Sequence, residues 1–246
     1  LAIVREELAS ISECLLAERV DVSNFDQMQA FADRVHDFVP CVDILVNNAG
    51  VAVMGDTLTT TMEDWRWIVS INLWGPIHGC DLFVPEMVRN AKGGHVVNVS
   101  SMLGFTPTPY VVGYTTTKFG VLGMSLCMRT DLRMHKIGVS VVCPGFINTN
   151  IIKDTRIRGI SDKEKARELV QRACAKRNYG PDRVARAIVR AVKRNQAIVP
   201  ITIESKFAYY LNRLWPAAAR ALFTFSADRF KGDITLEPPP TRSRGQ

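Results

Sequence analysis

Three side chains near the middle of the sequence have the types and spacing needed to move a proton at a carbon-bound oxygen. Tyr114 and Lys118 are four residues apart, so a helix places them on one face. A tyrosine near its reference pKa of ~10 is a poor acid or base at neutral pH, but a nearby ammonium favours the phenolate. Ser101 stands thirteen residues before Tyr114, where a predicted strand ends. This arrangement predicts general acid–base chemistry at an alcohol or carbonyl group.

Two further polar residues, Asn72 and Ser100, are also candidates for the site. Asn72 interrupts the apolar run from Ile71 to Trp74, and two interpretations of it are open. It is either a buried amide with all its hydrogen bonds satisfied, or a helix kink that orders a water beside Lys118. Ser100 competes with Ser101 as the residue that contacts the substrate, and the spacing to Tyr114 favours Ser101.

The elements that must position these residues alternate along the chain. Apolar runs at 14–20, 42–46, 95–99, 139–143 and 197–203 predict strands, and periodic segments at 25–38, 62–90, 114–135, 161–176 and 182–195 predict helices. Ser23 or Asn24 is expected to cap the first of these helices, and Gly75-Pro76 to bend the second. Residues 1–10 are predicted to be the end of an earlier helix. The alternation predicts an α/β fold with a Rossmann-like, doubly wound parallel sheet in a single domain.

Composition excludes several classes of protein. The 246 residues are 47% hydrophobic and 22% charged, which is typical of a globular domain. No apolar run reaches the ~18 residues of a membrane-spanning helix, and no secretory leader is recognised. The six cysteines contain no CxxC pair, so we expect reduced thiols in a cytoplasmic protein. The four histidines lack metal-ligand spacing, so no metal site is expected.

The net charge of +7 is distributed unevenly. Residues 1–150 contain 10 basic and 15 acidic residues, whereas residues 151–246 contain 21 and 9. The basic segment is either a solvated helical face or a contact for anionic lipid, nucleic acid or an anionic substrate. Since no nucleic-acid motif accompanies the charge, no nucleic-acid partner is expected.

The ordered set of motifs resembles the short-chain dehydrogenase/reductase family over roughly residues 10–200. The motifs are Asp21-Val22, Asn47-Asn48-Ala49-Gly50, Asn72, Ser101, Tyr114-x-x-x-Lys118 and Pro144-Gly145 with Thr149. Each is weak alone, but all six in this order are very specific. The resemblance implies an oxidoreductase that transfers a hydride between NAD or NADP and an alcohol, ketone or aldehyde.

The resemblance also implies a role for each catalytic residue. Tyr114 would be the general acid/base, and Lys118 would lower its pKa and hydrogen-bond the nicotinamide ribose. Ser101 would orient and polarise the substrate oxygen, and Asn72 would support a proton relay through water.

Further positions are implied to bind the cofactor. Asp21 and Val22 would contact the adenine. The cleft beside the adenosine ribose would be lined by Asn48, Ala49 and Gly50. After Pro144-Gly145, the nicotinamide carboxamide would be held by Ile147 and Thr149.

The amino-terminal part of the sequence departs from the family pattern. Family members begin with a strand and a Gly-x-x-x-Gly-x-Gly turn that receives the cofactor pyrophosphate, and this sequence contains neither. We expect the first β-α-β unit to be missing, because the sequence is a fragment or part of a larger polypeptide. The choice between NAD and NADP therefore stays open. The alternative function is a non-catalytic interaction module, or an inactive fragment lacking the phosphate-binding turn.

The carboxyl-terminal part departs as well. We expect a dehydrogenase domain over 1–203, an aromatic-rich amphipathic segment over 204–231 and a disordered tail over 232–246. The segment at 206–230 resembles extensions of retinol- and hydroxysteroid-dehydrogenase-like members. It is interpreted as a subunit contact, a peripheral membrane contact or a cover over the substrate site. The apolar loop at 102–112 and the segment after Thr149 suggest an apolar substrate. We expect a homodimer or homotetramer located in the cytoplasm, either free or in association with a membrane.

Overall fold

A parallel sheet forms the centre of the chain in a computed structural model, which describes residues 16–237. Four strands are ordered β1-β3-β4-β6, with all neighbouring pairs parallel. A separate parallel pair, β2 and β5, was not predicted from the sequence. The strands are β1 (Ile44–Asn47), β2 (Val53–Met54), β3 (Gly94–Val99), β4 (Ile137–Cys143), β5 (Arg156–Ile157) and β6 (Ile198–Pro200). The doubly wound α/β architecture is confirmed.

Helices connect the strands and cover both faces of the sheet. The α-helices are α1 (Phe25–Phe38), α2 (Met62–Val69), α3 (Gly75–Asn90), α4 (Val112–Asp131), α5 (Lys163–Arg177), α6 (Pro181–Lys193), α7 (Ile203–Leu214) and α8 (Pro216–Asp233). A π-helical turn joins α2 to α3 at Ser70–Trp74. Short 3-10 helices lie at Met102–Gly104, Leu132–His135 and Asn150–Ile152.

The core divides into clusters on the two faces of the sheet. Alternate residues of a strand point to opposite faces. Val96 and Val139 therefore pack against Met87 of α3, in a cluster that also receives side chains of α4. Val97 and Val142, on the same two strands, pack on the other face in a cluster that includes residues of α6. The sheet thus separates α4 from α6.

Helix α1 coincides with the segment predicted from its apolar periodicity. Asn24 caps it, since its Oδ1 accepts a hydrogen bond from the backbone N–H of Gln27 at 3.0 Å. Met28 and Ala32 form its buried face. Of the two capping candidates, Asn24 rather than Ser23 makes the capping bond.

One sequence expectation in the first half of the chain was wrong. Residues 16–20 of the strand predicted at 14–20 are irregular, because no described strand pairs with them and β1 has β3 as its neighbour. A π-helical turn at Ser70–Trp74 stands directly before Gly75-Pro76, where the sequence predicted a bend. Residues 14–15 and the predicted helix at 1–10 lie outside the described residues.

The carboxyl-terminal helices pack against the sheet. Ala208 of α7 shares a core cluster with Phe105, Val121 and Cys143, so α7 joins the core of the predicted dehydrogenase domain. The predicted strand at 197–203 is limited to β6, since Thr202 caps α7. Within the tail predicted at 232–246, α8 ends at Asp233 and Ile234 is buried. Residues 238–246 lie outside the described part.

Candidate active site

The predicted catalytic residues gather at the carboxyl ends of the parallel strands. Gly50 follows β1, Ser101 follows β3 and Pro144 follows β4. Tyr114 and Lys118 lie in the first two turns of α4, which packs against β4. Ligand sites of open parallel sheets form at this edge, so the position fits a candidate active site.

The environment of Tyr114 raises its pKa instead of lowering it. Burial disfavours the phenolate and outweighs the influence of the Ser101 side chain, which acts in the opposite direction. The expectation that Lys118 would leave Tyr114 with a lowered pKa is therefore not met in this structure. The Ser101 side chain nevertheless lies close enough to Tyr114 to affect this pKa.

Lys118 is almost completely buried, with 4% of its surface exposed. Its Nζ donates a hydrogen bond to the carbonyl oxygen of Val99 at 3.0 Å and lies 5.6 Å from the centroid of the Tyr114 ring. Burial lowers the pKa of the ammonium to about 8. The charge is thus held by a backbone oxygen at the end of β3, close to the tyrosine ring.

The two adjacent serines have different partners. Ser100 is buried and donates from Oγ to the carbonyl oxygen of Lys118 at 2.8 Å, which fastens β3 to α4. The Oγ of Ser101 accepts from the backbone N–H of Leu103 at 3.2 Å and begins a 3-10 turn. That acceptor bond leaves the Ser101 proton available for a substrate oxygen. The geometry thus supports Ser101 over Ser100.

Asn72 agrees with the interpretation of a buried amide whose hydrogen bonds are satisfied, and its role in a proton relay stays a prediction. It lies within the π-helical turn, and its side chain is fully buried. The amide accepts from Val51 N at 2.8 Å and donates to Val51 O at 2.9 Å and to Thr117 Oγ1 at 3.3 Å. Its hydrogen bonds tie the loop after β1 to α4, which makes Asn72 a positioning residue here.

Of the predicted adenosine-side residues, Gly50 has the closest link to the catalytic group. A Cβ at Gly50 would lie 3.5 Å from both Asn72 Oδ1 and Lys118 Nζ. Asn48 and Ala49 are exposed at the same strand end. Asn47 points inward, and its Nδ2 donates to Asn98 Oδ1 at 2.8 Å. Asn47 therefore anchors the strand end from which the other three project.

The loop after β4 is held from two sides. Pro144 O accepts from Met102 N at 2.8 Å, which connects it to the loop after Ser101. The backbone N–H of Phe146 donates to Glu204 Oε1 at 3.1 Å, and that of Asn148 donates to Tyr179 O at 3.1 Å.

The side chains expected to hold the carboxamide differ in exposure within this loop. Ile147 is half-buried, whereas Thr149 is exposed. A Cβ at Gly145 would collide with the Thr202 hydroxyl, so the close approach of this loop to α7 requires glycine.

The predicted adenine-contacting residues Asp21 and Val22 precede α1 in the chain, and Val22 is close in space to the start of α3. Asp21 Oδ1 accepts from the N–H and hydroxyl of Ser23, and these bonds lower the pKa of the carboxyl. A Cβ at Gly75 would be 2.9 Å from Val22 Cγ2, so this valine packs closely on the helix start. Within residues 16–237, no hydrogen bond joins Asp21 or Val22 to the four catalytic candidates.

Sequence reasoning missed two side chains of the site. Thr117 receives the Asn72 bond and was not singled out, although it lies three residues after Tyr114 on the same helix. Cys143 was interpreted only as a small core residue. Its thiol is buried at the end of β4, where burial raises its pKa to about 12 despite the charge of Lys118. No pattern in the sequence distinguishes Cys143 from the other buried cysteines.

A second polar cluster connects α2 to β5 beside the site. The carboxylate of Asp64 is fully buried and pairs with Arg158 through two hydrogen bonds, of 2.7 and 2.8 Å. It also meets Arg156 at 3.2 Å, whose guanidinium lies 3.8 Å from the centroid of the Trp67 ring. Both arginines and the Thr61 cap hold the pKa of Asp64 well below its usual range.

The residues present fit a nucleotide ribose. The Lys118 ammonium has three donors, and one of them is used by Val99 O. Two donors therefore remain beside the open backbone of Gly50. Within the described residues, no grouping of His, Cys, Asp and Glu could hold a metal ion.

Comparison with known proteins defines the class to which this chain belongs. A family model described as short chain dehydrogenase matches residues 1–158, which is more than half of the chain. The chain belongs to the short-chain dehydrogenase family.

Particular relatives and solved structures agree with this assignment. The probable oxidoreductase EphD of Mycobacterium tuberculosis is 38% identical over 206 residues, covering 82% of this chain and 35% of its own length. The chain thus spans about a third of this relative. A short-chain dehydrogenase/reductase from Burkholderia phymatum, solved with NAD, has a TM-score of 0.76 at 25% identity, covering 98% of this chain and 85% of that one. A metagenomic short-chain oxidoreductase solved with NADP has a TM-score of 0.61 at 28% identity, covering 80% and 77%.

Across residues 16–237, no helix combines the length and the apolar character needed to cross a bilayer.

Proposed function

We propose that the protein is an NAD(P)-dependent oxidoreductase that interconverts an alcohol and a ketone or aldehyde. The observation that carries the proposal is the placement of Tyr114 beside the buried Lys118, whose Nζ lies 5.6 Å from the centroid of the Tyr114 ring, with Ser101 at the same strand end. Family membership and the relatives solved with NAD or NADP support the choice of cofactor. The nicotinamide would supply or accept the hydride, and the protein's residues would position the substrate and move the proton.

In the reductive direction, Tyr114 donates its proton to the substrate oxygen. Its raised pKa keeps the phenol protonated before the reaction, which suits a general acid. Ser101 donates a hydrogen bond to the same oxygen and polarises the carbonyl. In the oxidative direction, Tyr114 would accept the proton from the substrate alcohol.

The other candidates bind and position. Lys118 donates to the hydroxyls of the nicotinamide ribose, and Asn72 holds the loop containing Gly50 against α4. We assign Asn48 and Ala49 to the adenosine side, with Asp21 and Val22 at the adenine. Pro144, Gly145, Ile147 and Thr149 form the nicotinamide side.

The substrate is proposed to be apolar. Loop 102–112 supplies half-buried Met102 and Leu103 directly after Ser101. Tyr209 of α7 packs edge-on against Phe105, with ring centroids 5.3 Å apart, so the carboxyl-terminal helix supports this loop. An aliphatic or aromatic ketone would therefore find apolar side chains beside the reacting oxygen.

The decisive test replaces Tyr114 with Phe in the full-length protein and measures turnover of a panel of apolar ketones. We expect a fall in kcat of at least about 100-fold, since one positioned proton donor contributes 10²–10⁴-fold. Tyr210→Phe is the matched control, because that tyrosine is exposed on α7. Rates in Tyr114→Phe equal to those of the control would refute the assignment.

A second measurement separates an enzyme from a non-catalytic module. Titrating the full-length protein with NADH and NADPH, followed by tryptophan fluorescence, should show saturable binding of at least one of them. Absence of binding by either would favour a module that has the fold without cofactor binding. The stronger ligand of the two would identify the physiological cofactor.

We also propose a homodimer or homotetramer, in the cytoplasm, with peripheral membrane contact through 206–230. Four exposed apolar residues form one face of α7: Ile203, Phe207, Tyr210 and Leu214. Their spacing of three and four residues is that of a helix face made to contact another apolar surface.

A further inference from the structure

A cleft of about 430 Å³ lies between α6, β6 and the beginning of α7. Four arginines, Arg183, Arg186, Arg190 and Arg194, line it together with Lys206. The arginines recur at intervals of three or four residues, so they share one face of α6 and its end. Five of the 21 basic residues of the carboxyl-terminal part thus surround one concave surface.

Few negative charges offset this cluster. Arg186 pairs with Asp182 at 2.6 Å, and Arg183 lies 5.2 Å from the centroid of the Tyr179 ring. Among side chains described within residues 16–237, no carboxylate forms an ion pair with Arg190, Arg194 or Lys206. Like charges spaced four apart on a helix destabilise it by ~0.2–0.5 kcal/mol per pair. A bound anion would offset that repulsion.

The cleft is separate from the candidate active site. Helix α6 packs on the face of the sheet formed by Val97 and Val142, whereas α4 packs on the opposite face. Two backbone contacts connect the two regions: Tyr179 O accepts from the N–H of Asn148, and the N–H of Ile201 donates to the carbonyl oxygen of Cys143 at 3.2 Å. The cleft therefore lies next to the loop after β4, on the face of the sheet opposite α4.

The chemistry of the lining favours a phosphoryl group. Guanidinium groups present planar pairs of donors that match phosphate oxygens, and several arginines suit a multiply charged group better than a single carboxylate. Val199, Pro200 and Ile201 add an apolar wall. A second copy of this chain is a poor occupant, since a twofold contact would bring these cations against themselves.

We propose that this cleft binds a phosphoryl-bearing molecule with a partly apolar body, at a site independent of the hydride-transfer chemistry. The phosphoryl group contacts Arg190 and Arg194, and the remainder of the molecule lies on the apolar wall beside Tyr179. The source of the group is either a soluble phosphorylated compound or the headgroup of an anionic lipid.

The test measures calorimetric binding of inorganic pyrophosphate to the full-length protein and sedimentation with vesicles of phosphatidylcholine, with and without phosphatidylglycerol. The cleft variant is Arg190→Gln with Arg194→Gln. The control is Arg133→Gln with Arg172→Gln, which removes the same charge from exposed positions outside the cleft. Both variants should retain the Tyr114-dependent turnover of the wild type.

We expect the cleft variant to bind at least about tenfold more weakly, a loss equivalent to ~1.4 kcal/mol, and the control to change less than twofold. Pyrophosphate binding that depends on the cleft identifies a soluble source, whereas cleft-dependent binding of phosphatidylglycerol vesicles alone identifies a headgroup. Equal losses in both variants, or no binding to either probe, would overturn the proposal.

Discussion

At the scale of single residues, burying the ammonium of Lys118 lowers the stability of the fold and places a charge beside Tyr114. Its ammonium is buried, and its pKa falls from 10.5 to about 8. The unfolded chain therefore binds more protons than the folded one between about pH 8 and 10.5. Stability should rise with pH across that window, and the full cost of burying the charge should apply below it.

Lys118→Met tests this cost. The variant should be more stable than the wild type at pH 7 by roughly 2–3 kcal/mol, since one pKa unit corresponds to ~1.4 kcal/mol and Val99 O loses its donor. The advantage should shrink as the pH approaches 10. Urea unfolding at pH 7 and pH 9.5 measures both values, and an equal difference at the two pH values would contradict the assigned pKa.

Much of the residue-level site was predictable, because it depends on local spacing. A separation of four residues on a helix placed Tyr114 beside Lys118, and the end of a strand placed Ser101 opposite them. The pKa of Tyr114 was not predictable, since burial from several elements outweighs the nearest charge. The hydrogen-bond partners of Asn72 could not be predicted either, because Val51 and Thr117 are distant from it in sequence.

At the scale of elements, one buried carboxylate connects α2 to β5. Asp64→Asn would leave Arg158 without its carboxylate partner and Arg156 with only the exposed Glu63. We expect a loss of roughly 2–4 kcal/mol in the free energy of unfolding, because breaking a buried ion pair leaves uncompensated charge. The control Glu63→Gln removes the neighbouring, 82%-exposed carboxylate that also meets Arg156. Chemical denaturation should show a change below ~1 kcal/mol for the control.

Asp64→Asn should also affect catalysis, because Asp64 holds β5 in place. Helix α2 contacts α4, and β2 pairs with β5 while Gly55 bridges to Val111 at the start of α4. Loosening β5 should therefore raise KM more than it lowers kcat, since no residue that contacts the reacting atoms has changed. Steady-state kinetics of Asp64→Asn and Glu63→Gln distinguish this from a general loss of folded protein.

Elements with local signals were predicted well, and those with long-range causes were not. The capped, periodic helix α1 agrees with its prediction because Asn24 and the apolar face act within one segment. Strands β2 and β5 have two residues each, and they exist because residues about a hundred positions apart pair with one another. The π-helical turn at Ser70–Trp74 likewise depends on contacts of Asn72 outside its own helix.

At the scale of the whole molecule, the exposed apolar face of α7 is the part of the surface proposed to contact a membrane. Phe207→Ser with Leu214→Ser should lower sedimentation with lipid vesicles at least about threefold, because each buried aromatic or leucine side chain contributes ~1.5–3 kcal/mol. The control Leu58→Ser with Met134→Ser removes exposed apolar side chains elsewhere. If both double variants sediment equally, α7 is not the contact.

The opposite face of α7 has a consequence for the order in which the protein is made. Asn212 Nδ2 donates to Phe105 O at 2.8 Å, and Ser205 Oγ donates to Cys143 O at 2.6 Å. The segments that carry Ser101 and Pro144 are therefore held by residues that leave the ribosome roughly sixty to a hundred residues later. A nascent chain can form the sheet early, but it cannot complete its candidate active site until α7 has been synthesised and has docked.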